Sequence, residues 1–300
     1  MADAIPFTKD LSFEYGECDR ISPLIRRVIA ENPGPFTYTG SGTYIIGEGD
    51  VAVIDPGPED AAHTEALLRA ISGERITHIF VTHAHRDHCG GVPALKAATG
   101  APILAFGAHG RPADGDAPAM EEGVDYGFTP DTTLSHGEVV KGPGWTLEAV
   151  HTPGHVSNHL CFALQEEKAL FSGDHLMGWA TTVILPPDGD MGDYMNSLAL
   201  LLERDETIYY PTHGGPIENP KRFTRAVIAH RKMRDGQILN ALASGKSTIP
   251  DLVDTMYVGL DPRLKPAAAM SVYAHMLQLV KTGAVVCDGQ LDINAAFSKS

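Results

Sequence analysis

The chain of 300 residues has few cysteines, no long apolar run and fewer basic than acidic residues. Its four cysteines are far apart and form no CxxC pair, which argues against a disulfide framework and against a cysteine-based zinc site. No run of about 18 apolar residues occurs, so no membrane-spanning helix is predicted. The first twenty residues lack the basic start and apolar core of a signal peptide. We therefore expect a cytoplasmic protein with reduced thiols and no membrane partner.

The shortage of basic residues is unevenly distributed along the chain. Overall, 23 lysines and arginines face 38 aspartates and glutamates, a formal charge of −15 that opposes non-specific attraction to phosphate backbones. Residues 1–219 contain 12 basic and 32 acidic residues, whereas residues 220–300 contain 11 and 6. We therefore predict two domains with these boundaries.

Alternating strand and helix patterns predict an α/β fold for the first domain. Thr43–Gly47 and Val51–Asp55 are β-rich runs around a Gly-Asp turn, a pattern typical of a hairpin. A helix is predicted over Glu59–Ile71 and a buried strand over Ile76–Val81. Ala108–Asp131 is rich in Gly, Pro and Asp and is expected to be a surface loop. Further strands are predicted at 102–106, 145–150, 160–164, 169–171 and 208–210, and further helices at 92–98 and 194–203.

The second domain has a different pattern. Helices are predicted over 221–243, 249–257 and 266–282, followed by the short apolar run 284–286. Three helices and one β-edge within about 80 residues are typical of a winged-helix domain.

A dense polar cluster follows the buried strand that ends at Val81. The segment Thr82–Gly91 reads THAHRDHCGG and places three imidazoles and a carboxylate within six residues. His83 and His85 are two residues apart on an extended segment and can converge on one ion. Asp87 and His88 lie beyond the bend and can bind a second ion a few ångströms away.

Three more candidate ligands stand where predicted strands end, which is where functional groups gather in α/β proteins. They are His151, Asp174 and His213. With the first cluster they give five histidines and two aspartates. Seven ligands suit two zinc-like ions if one carboxylate and one water are shared.

The motifs HxHxDH, HTPGH (His151–His155), SGD (Ser172–Asp174) and PTHG (Pro211–Gly214) resemble those of the metallo-β-lactamase superfamily. The resemblance implies an αββα sandwich with a dinuclear metal site between two sheets, here followed by the small winged-helix-like domain. Within that pattern the first metal would be held by His83, His85 and His151, and the second by Asp87, His88 and His213, with Asp174 bridging.

Over residues 40–285 the chain is also similar to the β-lactamase-like protein 2 subgroup, which includes an endoribonuclease specific for single-stranded RNA. Two positions depart from the usual pattern: Thr212 replaces a glycine, and Val156 replaces a Ser or Thr. Neither change removes a ligand, but both alter the surroundings of the site.

We predict a hydrolase in which a hydroxide bridging two metal ions attacks a carbonyl carbon or a phosphorus. Asp87 is the predicted catalytic residue, because it can accept a proton from that water while it binds the second metal. The predicted cofactor is two zinc ions, with manganese or iron as alternatives because the same ligands accept all three. Candidate substrates are small esters, thioesters and lactams, or single-stranded RNA; oligomeric state is left open.

An alternative is an iron-dependent oxidoreductase similar to the persulfide dioxygenases, which keep HxHxDH but use one iron. Other histidines near the ligands, namely His155, His159 and His175, are candidates for orienting them by hydrogen bonds. The helix Lys221–Asn240 carries six basic residues that could contact RNA phosphates or pair with acidic neighbours.

Overall fold

A computed structural model describes residues 4–110 and 123–300, apart from the side chain of Arg263. The predicted loop Ala108–Asp131 therefore lies partly outside the described residues. Within these residues the chain forms seven α-helices, two large sheets and a two-stranded C-terminal sheet. Among these helices, none combines the length and the apolar character needed to cross a bilayer.

The first sheet has seven strands in the order in which they occur along the chain. They are β1 Cys18–Arg20, β2 Ile25–Ile29, β3 Gly42–Ile46, β4 Asp50–Ile54, β5 Arg75–Phe80, β6 Ile103–Ala105 and β7 Thr132–Thr133. The first four are antiparallel and the remainder are added in parallel. The connections between parallel strands contain the helices α1 Ala61–Ala70, α2 Arg86–Cys89 and α3 Val92–Thr99.

The second sheet has five strands in the order β12, β11, β10, β9, β8. Their bounds are β8 Val139–Gly142, β9 Trp145–His151, β10 Leu160–Leu164, β11 Ala169–Gly173 and β12 Ile208–Pro211. The helix α4 Met191–Glu203 connects β11 to its parallel neighbour β12.

The two sheets pack face to face with helices on both outer sides. Alternate residues of β4 show this: Val51 and Val53 pack towards α1 and α3, whereas Ala52 and Ile54 pack against the second sheet. Strand β10 has the same alternation, because Phe162 lies between the sheets and Cys161 faces α4. The predicted αββα sandwich is confirmed.

The C-terminal region forms its own apolar cluster around three helices and a hairpin. Its elements are α5 Pro220–Ala243, α6 Ile249–Met256, α7 Lys265–Lys281, β13 Val285–Asp288 and β14 Ala296–Lys299. Helix α5 takes part in two cores: Phe223 and Val227 pack with α4, whereas Ile238 and Leu242 pack with α6 and α7.

Several short edge elements were not predicted from the sequence, among them β1, β7, β8 and β14. Strand β8 is one case: it has only four residues, of which Val140 packs against the core while Val139 and Lys141 are exposed. Edge strands of this kind depend on their neighbour for pairing rather than on their own composition.

Trp145 joins the two sheets at one end of the sandwich. Its indole is buried between them and Nε1 donates a hydrogen bond of 3.0 Å to the Asp50 carbonyl. Gly47 and Gly142 make room for the ring, because a Cβ at Gly142 would lie 2.1 Å from it and one at Gly47 would lie 2.5 Å away. Both glycines are therefore required by close packing.

We expect Trp145→Ala to lower the free energy of unfolding by about 3–5 kcal/mol, because it leaves a large cavity between the sheets. Chemical denaturation of both proteins would measure the change. Val258→Ala is the control, since Val258 is 88% exposed and its truncation should change stability by less than about 0.5 kcal/mol. Equal effects of the two substitutions would contradict the role given to Trp145.

Candidate metal centre

The polar side chains gather at the edge of the sandwich where β4, β5, β11 and β12 end. Backbone hydrogen bonds hold the two sheets together there. Leu160 donates to the Thr82 carbonyl at 2.8 Å, and Gly42 donates to the Thr212 carbonyl at the same distance. The connections that follow the strands are thereby brought into contact.

One group of ligand atoms belongs to His83, His85, His155 and Asp174, all within 4.8 Å of one another. His85 Nδ1 is 2.8 Å from His83 Nε2 and 3.3 Å from His155 Nε2. Asp174 Oδ2 is 3.8 Å from His155 Nε2. Ligands around one zinc ion are spaced by about 3.3 Å, given metal–nitrogen bonds of about 2.0–2.1 Å. Three imidazoles and a carboxylate at this spacing suit a divalent cation.

A second group belongs to Asp87, His88 and His213. His213 Nε2 is 3.1 Å and His88 Nε2 is 3.6 Å from Asp87 Oδ2. The other oxygen of Asp174, Oδ1, is 3.5 Å from His88 Nε2 and 3.4 Å from His213 Nε2. Asp174 thus directs one carboxylate oxygen towards each group.

Buried polar atoms between the groups are what a metal ion would satisfy. His88 Nε2, His213 Nε2 and Asp174 Oδ1 are buried, and among the described residues none of them makes a hydrogen bond of good geometry; their short contacts are with other atoms of the two groups. Leaving such atoms unpaired costs about 1–3 kcal/mol each. Because all three face the same space, the residues present fit a pair of divalent cations.

The remaining ring nitrogens fix which nitrogen faces the centre. His213 Nδ1 lies 3.2 Å from the Gly40 carbonyl, and His155 Nδ1 lies 2.7 Å from the Val183 carbonyl. A carbonyl only accepts, so each Nδ1 carries the hydrogen and each Nε2 is left with a lone pair that could bind a metal. His88 is oriented in the same manner, by Asp55 Oδ2 at 2.8 Å from its Nδ1.

Asp55 is a site residue that the sequence analysis missed. Its buried carboxylate also accepts hydrogen bonds from Thr82 N at 2.7 Å, Thr82 Oγ1 at 2.8 Å and Thr212 Oγ1 at 3.0 Å. Its φ of 51° lies in the left-handed region, which few residues other than glycine adopt. The signal in the sequence was an aspartate at the end of an apolar strand, as for the other candidates.

The structure does not bring His151 to either group. It is the last residue of β9 and pairs with Leu160 in the sheet, while its ring stacks on Phe106 at a centroid distance of 4.0 Å. Its Nε2 lies 3.0 Å from the Ser157 carbonyl. His155 lies where the sequence analysis placed His151.

The reason is a turn beyond the strand. Gly154 has a φ of 135°, and a Cβ there would lie 2.3 Å from Tyr194 Cα, so the turn packs directly on α4. The turn directs the chain towards the centre only after the strand has ended, so the imidazole that reaches the centre is that of His155, four residues after His151. The other six predicted ligands are brought together by the structure.

His159 orients the turn that carries Asp174. Its Nδ1 is 2.8 Å from Thr152 Oγ1, and its Nε2 accepts a hydrogen bond of 3.1 Å from the Asp174 backbone N–H. Gly173 is required at this point, because its φ is 50° and a Cβ would lie 2.6 Å from His159 Nε2. His175 is buried beside Tyr194, with ring centroids 4.8 Å apart.

Burial and charge act against each other on the titratable groups of the centre. Burial lowers the pKa of His85 to about 3, and His155 adds to this effect. Burial raises the pKa of Asp174, but His213 and His88 lower it by more. The net pKa is below the ordinary value of an aspartate, so the carboxylate stays ionised. For His88, burial lowers the pKa while Asp87 and Asp174 raise it by more. A cation that binds there must displace the proton of His88.

A pocket of about 420 Å³ opens onto the centre. Small-molecule sites have volumes of about 300–1,000 Å³. Among the described residues that line the pocket, Arg86 alone is a lysine or arginine. Its lining is otherwise largely apolar, with Phe36, Pro58, Met177, Val183 and Leu185 beside His85, Asp87, His155 and Asp174.

The basic stretch of α5 is only partly a surface feature. Arg231 is buried, and Arg234 lies over the Tyr257 ring at 4.6 Å. The other four basic side chains of this stretch are exposed and form no ion pair within the described part of the chain. They are Lys221, Arg222, Arg225 and Lys232.

We expect His155→Ala to weaken zinc binding by at least about 100-fold, because it removes a ligand, an effect at least as large as losing an orienting group. Chelator competition and metal analysis of the purified proteins would measure the change. His151→Ala is the matched control and should bind zinc like the wild type. Normal binding by His155→Ala with loss in His151→Ala would restore the assignment made from the sequence.

We expect Asp55→Asn to weaken zinc binding by about 10–100-fold, since the amide cannot accept hydrogen bonds from both threonines and from His88 Nδ1. Asp10→Asn makes the same change at an exposed position and should leave affinity unaltered. Unchanged affinity in Asp55→Asn would mean that His88 is oriented without this carboxylate.

Comparisons with known proteins agree with the architecture. Residues 38–213 match the family model of the metallo-beta-lactamase superfamily, and residues 248–293 match the beta-lactamase associated winged helix domain. Solved structures with the same fold include a beta-lactamase domain protein from Burkholderia ambifaria, 18% identical, with a TM-score of 0.80 over 98% of this chain and 97% of that one. A metallo-beta-lactamase family protein from Thermus thermophilus is 21% identical, with a TM-score of 0.75 over 94% and 100%.

Relatives with higher sequence identity include fungal proteins. The lactamase-like protein adaB of Aspergillus niger is 32% identical over 89% of this chain and 87% of its own length. An atrochrysone carboxyl ACP thioesterase of Aspergillus fumigatus is 33% identical over 80% of this chain and 76% of its own length. On the family match and these identities, the chain belongs to the metallo-beta-lactamase superfamily.

Proposed function

We propose that the protein is a metal-dependent hydrolase that cleaves thioesters of apolar acyl groups. The observation that supports this most directly is the apolar pocket that opens onto the two groups of ligand atoms. A relative named as an acyl carrier protein thioesterase covers most of the chain, which favours thioesters among the carbonyl substrates that such a centre can cleave.

In this proposal one cation would be held by His83, His85, His155 and Asp174, and the other by Asp87, His88, His213 and Asp174. Bound divalent cations supply Lewis acidity for a carbonyl oxygen and lower the pKa of a water molecule. Zinc suits the nitrogen-rich first group, while manganese and iron remain alternatives because imidazole and carboxylate bind all three.

The pocket walls account for binding of the acyl group. Met177, Val183 and Leu185 provide an apolar surface beside the centre, and Phe36 is 54% exposed at the pocket wall. Burying an acyl chain against them releases about 25 cal/mol for each square ångström of apolar surface. An apolar acyl chain on these walls would hold its carbonyl carbon beside the ligand atoms.

Hydrolysis joins the oxygen of one water to the carbonyl carbon and breaks the carbon–sulfur bond, giving a carboxylic acid and a thiol. Asp87 lines the pocket, and His88 and His213 keep its pKa low against the opposing effect of burial. Its carboxylate is thus ionised and can accept a proton from the attacking water. The leaving sulfur takes up one proton, so the reaction needs no other reactant.

The apolar lining is less suited to RNA. A single strand would place several phosphates along the site, and Arg86 is the one cationic side chain that the described lining offers. Hydrolysis of thioesters is therefore favoured over cleavage of RNA at this site.

We expect the zinc-loaded protein to release thiol from medium-chain acyl thioesters of N-acetylcysteamine, detected with a thiol-reactive dye. Removal of metal by a chelator should abolish the activity and zinc should restore it. Asp87→Asn should lower kcat by at least about 100-fold. Glu65→Gln, the same change at an exposed residue of α1, should not alter it.

Absence of thiol release from all acyl lengths would contradict the proposal. Cleavage of labelled single-stranded RNA by the wild type but not by Asp87→Asn would instead establish a nuclease. A single iron per chain together with oxygen uptake on persulfides would establish the oxidoreductase.

A further inference from the structure

We propose that Arg231 of α5 is a positioning residue for the metal centre, acting through the segment Thr182–Val183. This inference rests on the proposed function, since it concerns the geometry of the same ligands. Arg231 touches neither a ligand side chain nor the pocket lining in any described contact. Its effect runs through the backbone carbonyls of Thr182, Val183 and Asp174 and through the Thr182 hydroxyl.

The first contact is between α5 and the segment. The Arg231 side chain is buried, and its Nη2 donates a hydrogen bond to the Thr182 carbonyl. Its guanidinium carbon lies 5.3 Å from the centre of the Tyr194 ring. Tyr194 in turn donates a hydrogen bond of 3.0 Å from its hydroxyl to the His175 carbonyl. The arginine is thereby fixed between α4 and the turn that follows β11.

The second contact reaches the carboxylate that faces both ligand groups. Thr182 Oγ1 lies 2.8 Å from the Asp174 carbonyl and 3.0 Å from the His175 carbonyl. One hydroxyl hydrogen serves the two acceptors in a shared hydrogen bond. With His159 on its N–H, Asp174 has both of its backbone polar groups held.

The third contact reaches an imidazole ligand. The Val183 carbonyl accepts the hydrogen bond from His155 Nδ1, which directs Nε2 towards the centre. Because Thr182 and Val183 are adjacent, a displacement of this segment changes the placement of Asp174 and His155 together. One buried arginine therefore governs the positions of two ligands.

The charge of Arg231 sets this residue apart from ordinary packing. Within the described residues, no carboxylate lies within 4.0 Å of its guanidinium, and its Nε has no hydrogen-bond partner. Burying a cation without an ion-pair partner is unfavourable. Replacement by an apolar residue of similar length is therefore expected to change the free energy of unfolding little. It removes the hydrogen bond to the Thr182 carbonyl and should therefore displace the side chains of the centre.

The test uses the full-length protein loaded with Co²⁺, whose absorption spectrum reports ligand geometry independently of activity. Arg231→Met should shift the visible bands and weaken zinc binding by about 10-fold, the lower end of the effect of losing an orienting partner. Arg225→Met makes the same change at an exposed residue of α5 and should have the wild-type spectrum. Denaturation curves of both variants would monitor folding.

Thr182→Val tests the second contact if Arg231→Met fails to fold. It keeps the side-chain volume but removes the hydroxyl, and it should cause the same spectral shift. Thr182→Ser keeps the hydroxyl and should have the wild-type bands. The combined Arg231→Met and Thr182→Val variant should weaken zinc binding by less than the product of the two single effects.

Unchanged spectra and zinc affinity in Arg231→Met, or in Thr182→Val if the first variant does not fold, would overturn the inference while leaving the metal centre intact. A wild-type protein that binds neither Co²⁺ nor Zn²⁺ would overturn the proposed function and this inference with it. The two failures are therefore distinguishable.

Discussion

The arrangement of the centre depends on the hydrogen bonds that the buried carboxylate of Asp55 accepts. This carboxylate accepts hydrogen bonds from Thr82 just beyond β5, from the residue after β12 and from His88, so it links the two sheets to a candidate ligand. A carboxylate in such surroundings is unfavourable unless its lone pairs are used, and four donors use them here. The positive φ of Asp55 is the backbone conformation that accompanies this placement.

The sandwich positions the centre by repeating one pattern in both sheets. Strands with apolar residues on both faces pack between helices and the opposite sheet, so their ends are the first places where polar side chains can stand. Parallel neighbours such as β4 and β5, or β11 and β12, end at the same edge. The ligands are collected there even though they are up to 130 residues apart in sequence, from His83 to His213.

Local patterns were sufficient to predict most of this arrangement. The buried strands, the long helices and the cluster from His83 to His88 could be recognised because each signal lies within a few neighbouring residues. His155 could not be assigned by the strand-end argument, because the turn at Gly154 depends on packing against Tyr194, a contact 40 residues away. Asp55 has the same strand-end signal as the other candidates, but its role depends on donors from two distant segments, Thr82–Gly91 and the residue after β12. Assignment to the β-lactamase-like protein 2 subgroup and the domain boundary at residue 219 stay predictions.

Helix α5 has a consequence for how the protein unfolds. Its first half belongs to the apolar cluster over the second sheet, and its second half belongs to the C-terminal cluster. Loss of the C-terminal structure would fray this helix and expose the α4 side chains on which its first half packs. Unfolding of the C-terminal region and of the sandwich is thus coupled through α5, and amide protons in the first half of α5 should exchange no more slowly than those of α4.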